Sequence, residues 1–280
     1  MSRCIPAVLT IAGSDSGGGA GVQADLRTFN ALGVYGCSAV TAVTSQNPDE
    51  VRSVYILPAS EVVCQIETVL DVMPIRVVKT GMLANSRIIG SAAKIVAERK
   101  LELIIDPVMV STSGAELLDK SAVKTMKEEL FPLATWITPN IPEAELICNT
   151  KIRSLDDLAG AAVMLYEQYG CNVILKSGHL IDNAKAEDIV CCNGKLYILR
   201  SPRLAVSGNT AHGTGCTLSS ALAANFALGK CWRKAVSDAK TFVYGSLVEQ
   251  MELRKDFFQM YPPSGEYTDK IILKEYSALD

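Results

Sequence analysis

Short apolar runs alternate with longer amphipathic stretches along most of this chain. Residues 7–12 are apolar and bounded by Gly13, the pattern of a strand buried on both faces. A glycine-rich stretch from Gly13 to Asp25 then opens into a helix running through Leu32. Residues 35–46 are β-branched and alternating, and end in a turn at Gln46 to Glu50. The spacing of Val62, Val63, Ile66, Val69 and Leu70 predicts a helix over 60–72. A strand at 75–79, a helix at 86–98 and a strand at 101–105 ending at Asp106 and Pro107 follow. Residues 136–138 read as a strand ending at Pro139 and Asn140, with Ile141, Pro142 and Glu143 opening the next helix. After a helix over 155–169, the strand at 172–175 ends at Lys176.

This alternation argues for an α/β fold with a mostly parallel sheet covered on both faces. Two further segments, 188–192 and 195–199, read as an antiparallel hairpin through Asn193 and Gly194. Residues 231–250 form a closing helix. The tail from about 253 shows no pattern and is expected to wrap loosely. With no repeat, low-complexity segment or linker, 1–280 reads as a single domain.

In parallel sheets of this kind the ligand crevice lies beyond the carboxyl ends of the strands. Asp15, Gln46, Lys79, Asp106, Asn140, Glu143 and Lys176 all fall there. Polar residues that end a single strand are commonly caps; seven converging on one rim point to a site.

Composition narrows the partners. The net charge of −3 carries no basic stripe or block of like charges, which argues against nucleic acid and anionic membrane as partners. No apolar run reaches the length of a membrane span, and no signal peptide precedes the first strand. Nine cysteines without a CxxC pair, and only two histidines, indicate neither a disulfide framework nor a zinc site. A reduced cytoplasm is expected.

The stretch 209–221 carries the candidate chemistry. Gly213 and Gly215 precede a helix whose Leu218, Ala221, Leu222, Phe226 and Leu228 lie close to one face. Small residues at a helix start let a ligand approach the backbone, and the unpaired amides of the first turn favour an anion. Cys216 falls in that turn, where the same field should favour its thiolate. The plain alternative is a glycine-rich helix start holding a structural cysteine. A dinucleotide fingerprint is not matched, which weakens a hydride-transfer reading: Gly17, Gly19 and Val22 miss the third glycine, and Asp25 comes too early for a ribose carboxylate. No GxxxxGK[ST] phosphate loop is present.

The motifs at 13–25, 41–47, 79–83, 106–109, 138–145, 176–179 and 212–217 stand in the order of a known family. The chain resembles the hydroxymethylpyrimidine/phosphomethylpyrimidine kinases of thiamine biosynthesis, within the ribokinase and pyridoxal kinase superfamily, over about residues 6–250. The resemblance implies a three-layer α/β/α, ribokinase-like fold and a homodimer. It also implies two successive phosphorylations of 4-amino-5-hydroxymethyl-2-methylpyrimidine by ATP with Mg²⁺. The implied catalytic set is Cys216 as base with Gly213, Thr214 and Gly215 as anion hole. Gln46, Asp25, Gly13 and Met82 are implied for substrate, and Lys176, Asp106, Asn140 and Thr210 for nucleotide. Glu143, Asn140 and Asp106 are implied for the metal, partly through waters. The Gln46 carboxamide, donor and acceptor together, matches an aminopyrimidine edge. His212 has no evident acid–base task and is read as shaping its turn, and His179 is equally ambiguous.

Three positions depart from the family pattern: Pro48 follows the Gln46–Asn47 pair in place of Thr, Thr112 replaces a Lys, and Ser177 replaces a Gly. These leave a pyridoxine/pyridoxal kinase on the same scaffold as the nearest rival, against which Gln46 speaks. A non-catalytic pyrimidine-binding protein is the rival from another class.

Overall fold

The first strand is buried almost end to end, as a parallel strand covered on both faces must be, and the sheet grows outward from it. The computed structural model describes residues 4–47, 49–109, 118–178, 184–205 and 211–277. Thr210, His179, Thr112 and Pro48 lie outside the described residues.

In chain order the first half runs β1 (Ala7–Asp15), α1 (Gly21–Ala31), β2 (Tyr35–Gln46), β3 (Val51–Ile56), α2 (Ala59–Leu70), β4 (Val77–Thr80), α3 (Ser86–Arg99) and β5 (Glu102–Ile105). It continues with α4 (Lys120–Thr125), extended by a wider turn over Met126–Leu130, then β6 (Trp136–Ile137), α5 (Ile141–Cys148), α6 (Leu155–Tyr169) and β7 (Asn172–Leu175). The last part comprises β8 (Lys185–Cys192), β9 (Lys195–Pro202), α7 (Thr214–Ala227), α8 (Trp232–Val248), the hairpin β10 (Met251–Arg254) and β11 (Phe257–Gln259), and β12 (Ile272–Glu275).

Ten strands form one sheet in the order β12-β9-β8-β7-β6-β5-β4-β1-β2-β3. Strands β2, β1, β4, β5, β6 and β7 are parallel, and both flanks are antiparallel. The chain leaves β1 to one side for β2 and later returns to its other side for β4. That reversal opens a crevice above the carboxyl ends of β1 and β4.

One face of the sheet packs against α2 to α6 around residues such as Ile66, Ile88, Phe131 and Leu165. The other packs against α1, α7 and α8 around Phe29, Trp136, Leu222 and Val236. Complete burial of such side chains contributes about 1.5–3 kcal/mol each, and the result is the expected α/β/α sandwich.

Local signals set the helix limits. Asn85 caps α3 by accepting from the Ile88 amide. Ser154 and Asp157 form a reciprocal capping box at the start of α6, which stops at Gly170 with φ 68°. The β8–β9 turn takes positive φ at both Asn193 and Gly194, as a two-residue hairpin requires.

Three features differ from the sequence reading. β3 is exposed at all six residues, so it leaves no apolar alternation to detect. α7 is buried continuously from Thr217 to Asn225, because α1 and α8 cover the side turned away from the sheet, and so it is not one-faced. Within the described residues the tail is ordered: Pro263 and Tyr267 pack where Gly245 on α8 leaves room, and β12 pairs antiparallel with β9.

Candidate active site

Beyond the carboxyl ends of β1 and β4 lies a cavity of ≈ 590 Å³. All seven rim residues expected from the strand ends line it: Asp15, Gln46, Lys79, Asp106, Asn140, Glu143 and Lys176. Gly13, Met82, Gly213, Thr214, Gly215 and Cys216 line it as well.

The first turn of α7 is the pivot. Gly213 precedes it with φ 85°, and no side chain caps its amides. Where α3 and α6 start on a capping Asn85 or Ser154, here the cap position is left to glycine and the first-turn donors border the cavity. A Cβ on Gly213 would lie 1.9 Å from the Gly19 carbonyl oxygen. The α7 turn therefore sits directly against the glycine-rich loop between β1 and α1. At Gly215 a Cβ would meet Lys176 Nζ at 3.1 Å and Asp106 Oδ2 at 3.5 Å. Glycine there lets the amides stand beside that ion pair with nothing between.

Lys176 donates to Asp106 Oδ1 at 3.0 Å, and the pair is largely buried. Burial works against the Lys176 ammonium, but Asp106 and Glu143 more than offset it and hold its pKa above the usual value. Glu143 and Asn140 form a capping box at the start of α5: the Asn140 amide donates to Glu143 Oε2 at 2.8 Å, and the Glu143 amide to Asn140 Oδ1 at 2.9 Å. Burial pushes the Glu143 carboxyl up to about 7, with Asp106 adding to the rise and Lys176 opposing it. Asn140 is thus a helix cap that also lines the cavity, with one lone pair of its oxygen engaged by the Glu143 amide.

Among the described residues no group of three or more His, Cys, Asp or Glu is placed to hold a metal ion. Two buried carboxylates that share one ammonium nonetheless suit a cation that keeps its waters and arrives with phosphates, as Mg²⁺ does. Asp106 and Glu143 are the residues that fit it.

Asp25 requires correction. Expected on the substrate, it is fully buried beneath the cavity and does not line it. It accepts from Thr10 Oγ1 at 2.6 Å, from Ser220 Oγ at 2.6 Å and from Lys79 Nζ at 2.9 Å on both oxygens. The sheet register explains the arrangement: Thr10 on β1 lies opposite Lys79 on β4, so both reach the same α1 carboxylate. Burial alone would lower the Lys79 ammonium, but Asp25, with Cys216 and Asp106, reverses that. Ser220 is one turn beyond Cys216 on α7, so the network supports the floor under the sulfur.

Cys216 lines the cavity half-buried, yet it is not the ready thiolate expected at a helix start. Burial pushes its thiol up to about 11; Lys79 and the Gly21 amide pull down, while Asp106 and Asp25 push further up. Burial is the largest influence, and the Lys79 ammonium does not offset it.

At the other end, Gln46 meets a pair that sequence reasoning underrated. Asp15 draws the glycine-rich loop around its carboxylate, accepting from the Gly17 amide at 2.9 Å and the Ala20 amide at 2.8 Å. His212 Nε2 lies 3.2 Å from Asp15 Oδ2 and 3.5 Å from Gln46 Nε2. Burial would raise the Asp15 carboxyl, but His212 and the two amides hold it below its ordinary range. The His212 ring rests where Gly19 has no side chain, 2.6 Å from where a Cβ would be, and Gln259 on β11 reaches the same point at 3.2 Å. In the same cavity, the Met82 methyl occupies the space left by Gly13, 2.6 Å from its missing Cβ. The one sequence hint of the His212 contact was a glycine on each side of the same gap.

The family model described as phosphomethylpyrimidine kinase matches residues 15–260. The hydroxymethylpyrimidine/phosphomethylpyrimidine kinase of Haemophilus influenzae is 42% identical over 88% of this chain and 92% of its own length. The thiamine biosynthesis bifunctional protein of Geobacter sulfurreducens is 44% identical over 86% of this chain, which spans only 49% of that longer protein. Among solved structures, the pyridoxal kinase of Staphylococcus aureus in complex with AMP-PCP and pyridoxal superposes with a TM-score of 0.85 at 32% identity, covering 98% of this chain and 100% of that one. No helix among the described residues is long and apolar enough to cross a membrane.

Proposed function

Because this chain belongs to the phosphomethylpyrimidine kinase family and is a phosphotransferase, we propose that it phosphorylates 4-amino-5-hydroxymethyl-2-methylpyrimidine and then the monophosphate, using ATP. One observation carries this reading. A single cavity has a carboxamide end at Gln46 and a charged end at Lys176, Asp106 and Glu143, and the two meet at the uncapped first turn of α7.

Phosphoryl transfer asks a protein mainly to align the partners and neutralise charge on the travelling group. The amides from Gly213 to Cys216 hold that group, and Lys176 supplies a positive charge 3.0 Å from Asp106. Gln46 reads the aminopyrimidine edge, with Met82 and Gly13 shaping the wall. Cys216 faces the substrate hydroxyl, and its thiolate form takes the proton. With the thiol pushed up to about 11, that form is a small fraction at neutral pH, and the step draws on the ionised fraction. When bound with the nucleotide, Mg²⁺ neutralises phosphate charge, and Asp106 and Glu143 are the residues to hold it. We take the chain as one kinase domain over 1–280, acting in the cytoplasm as a homodimer. Val54, Tyr55 and Ile56 on the edge strand β3 are exposed apolar side chains of the kind a subunit contact covers.

The test is ADP release with ATP and Mg²⁺ in the presence of the aminopyrimidine alcohol, its monophosphate, or pyridoxal. Turnover of both pyrimidines with the higher kcat/KM is expected. Tight pyrimidine binding without turnover would mark a binding protein. A second reading, pyridoxal kinase, is favoured by the likeness to the Staphylococcus aureus enzyme across nearly the whole chain. Preference for pyridoxal in the same panel would put it first.

A further inference from the structure

The polarity of the Gln46 carboxamide is set by its two neighbours. The oxygen and the NH₂ of a carboxamide have nearly the same shape and opposite hydrogen-bonding sense, so the surroundings decide which faces where. On one side, Thr44 Oγ1 lies 3.3 Å from Gln46 Oε1. That hydroxyl has one hydrogen, and it is engaged with the Ser14 carbonyl oxygen at 2.8 Å. Toward Gln46 it can therefore only accept.

On the other side, His212 Nε2 stands 3.5 Å from Gln46 Nε2 and 3.2 Å from Asp15 Oδ2. The Asp15 carboxylate is ionised at neutral pH and is an acceptor only. The imidazole nitrogen facing it must carry a hydrogen, whatever the charge on the ring. That one hydrogen lies between Asp15 Oδ2 and the Gln46 carboxamide, so an amide oxygen toward His212 shares it as a second acceptor. An amide NH₂ there instead sets N–H against N–H and leaves two acceptors opposed at Thr44.

We infer that His212 and Thr44 are specificity-determining positioning residues: they hold the Gln46 carboxamide with its oxygen toward His212 and its NH₂ toward Thr44. The cavity is then offered an acceptor on the α7 side and a donor on the β2 side, in fixed order. An aminopyrimidine must bring its exocyclic NH₂ to the His212 side and its ring nitrogen to the Thr44 side. That substrate consequence rests on the pyrimidine reading above; the order of the amide does not.

The amide order is read directly in the free protein. With ¹⁵N-labelled glutamine, and the Gln46 signals assigned by their loss in Gln46→Leu, the Nε2 hydrogens should show a nuclear Overhauser effect to the Thr44 methyl and none to His212 Hε1. The reverse pattern overturns the inference. Kinetically, His212→Leu should raise KM for the aminopyrimidine alcohol about tenfold, the loss of one oriented hydrogen bond, with KM for ATP and kcat within about twofold. His212→Gln, which retains an N–H donor, should recover most of the loss. Thr44→Val provides the same test from the other side should His212→Leu fail to fold. An equal rise in KM for ATP, or a fall in kcat alone, would also overturn it. A correctly ordered amide in a protein that does not turn over the pyrimidine would remove the substrate reading and leave the lock standing. Turnover with the opposite order would remove the lock alone.

Discussion

Gly213→Ala probes the junction on which phosphoryl transfer depends. The new Cβ would stand 1.9 Å from the Gly19 carbonyl oxygen, whereas real Cβ atoms essentially never come within 3.0 Å of another heavy atom. The loop or the first turn of α7 must therefore give way by roughly 1 Å. Displacement of that size at a positioning element costs on the order of 10²-fold in rate, or about 2.7 kcal/mol of barrier. The φ of 85° adds strain of about 1–2 kcal/mol for any residue with a side chain, which lowers Tm by roughly 2–8 °C in a chain of this size.

Gly229→Ala separates the two effects. Gly229 lies just past the other end of α7, at φ 76°, with nothing within 4 Å of its missing Cβ. It should show the Tm loss without the rate loss. Thermal melts and ADP release, read side by side, decide the matter. A folded Gly213→Ala enzyme with kcat within twofold of wild type, or a Gly229→Ala enzyme equally slowed, would refute the role given to the α7 turn.

Three further outcomes are expected. Lys79→Met leaves the Asp25 carboxylate buried without its ammonium and should cost about 3–5 kcal/mol in urea unfolding, while Lys79→Met/Asp25→Leu recovers part of that; an unchanged single variant would show that the pair is not held as described. With the Cys216 thiol pushed up to about 11, the proton-accepting form grows with pH. The rate of the first phosphorylation should therefore rise with pH above neutrality, and Cys216→Ala should both slow it about 10²-fold and flatten the rise; the same slope in the variant would assign the proton elsewhere. Glu249, drawn down to about 2 by the Ser264 and Gly265 amides and the Ser264 and Tyr267 hydroxyls, stabilises the docked tail above its unfolded value of 4.5 and loses this as pH falls toward 2. Glu249→Gln should lower Tm at neutral pH by an amount that shrinks through that window, and a pH-independent gap would contradict the assignment.

The strand ends were legible because parallel strands buried on both faces stand out as apolar runs, and their terminal polar residues then had to share one rim. What escaped were elements with little apolar contrast. β3 is exposed throughout, and β10 to β12 are short and half-wet, held mainly by strand pairing, with only Leu273 of β12 reaching the core and Glu249 tying down the segment before it. Within the site, Asp25 was misplaced because a helical carboxylate looks the same whether it meets a ligand or a buried lysine; only the Thr10–Lys79 register tells them apart. His212 and Asp15 are separated by 197 residues, and no local pattern announces such a meeting. The thiol at Cys216 was misjudged for a related reason. The helix start was visible, but the burial of the sulfur was not.

The reach of Gln259 to Gly19 has a consequence for how the molecule is made. Chains fold progressively from the amino end as they are synthesised, and the glycine-rich loop emerges well before β11. A nascent chain therefore carries the outer side of that loop uncovered until the hairpin that supplies Gln259 has left the ribosome.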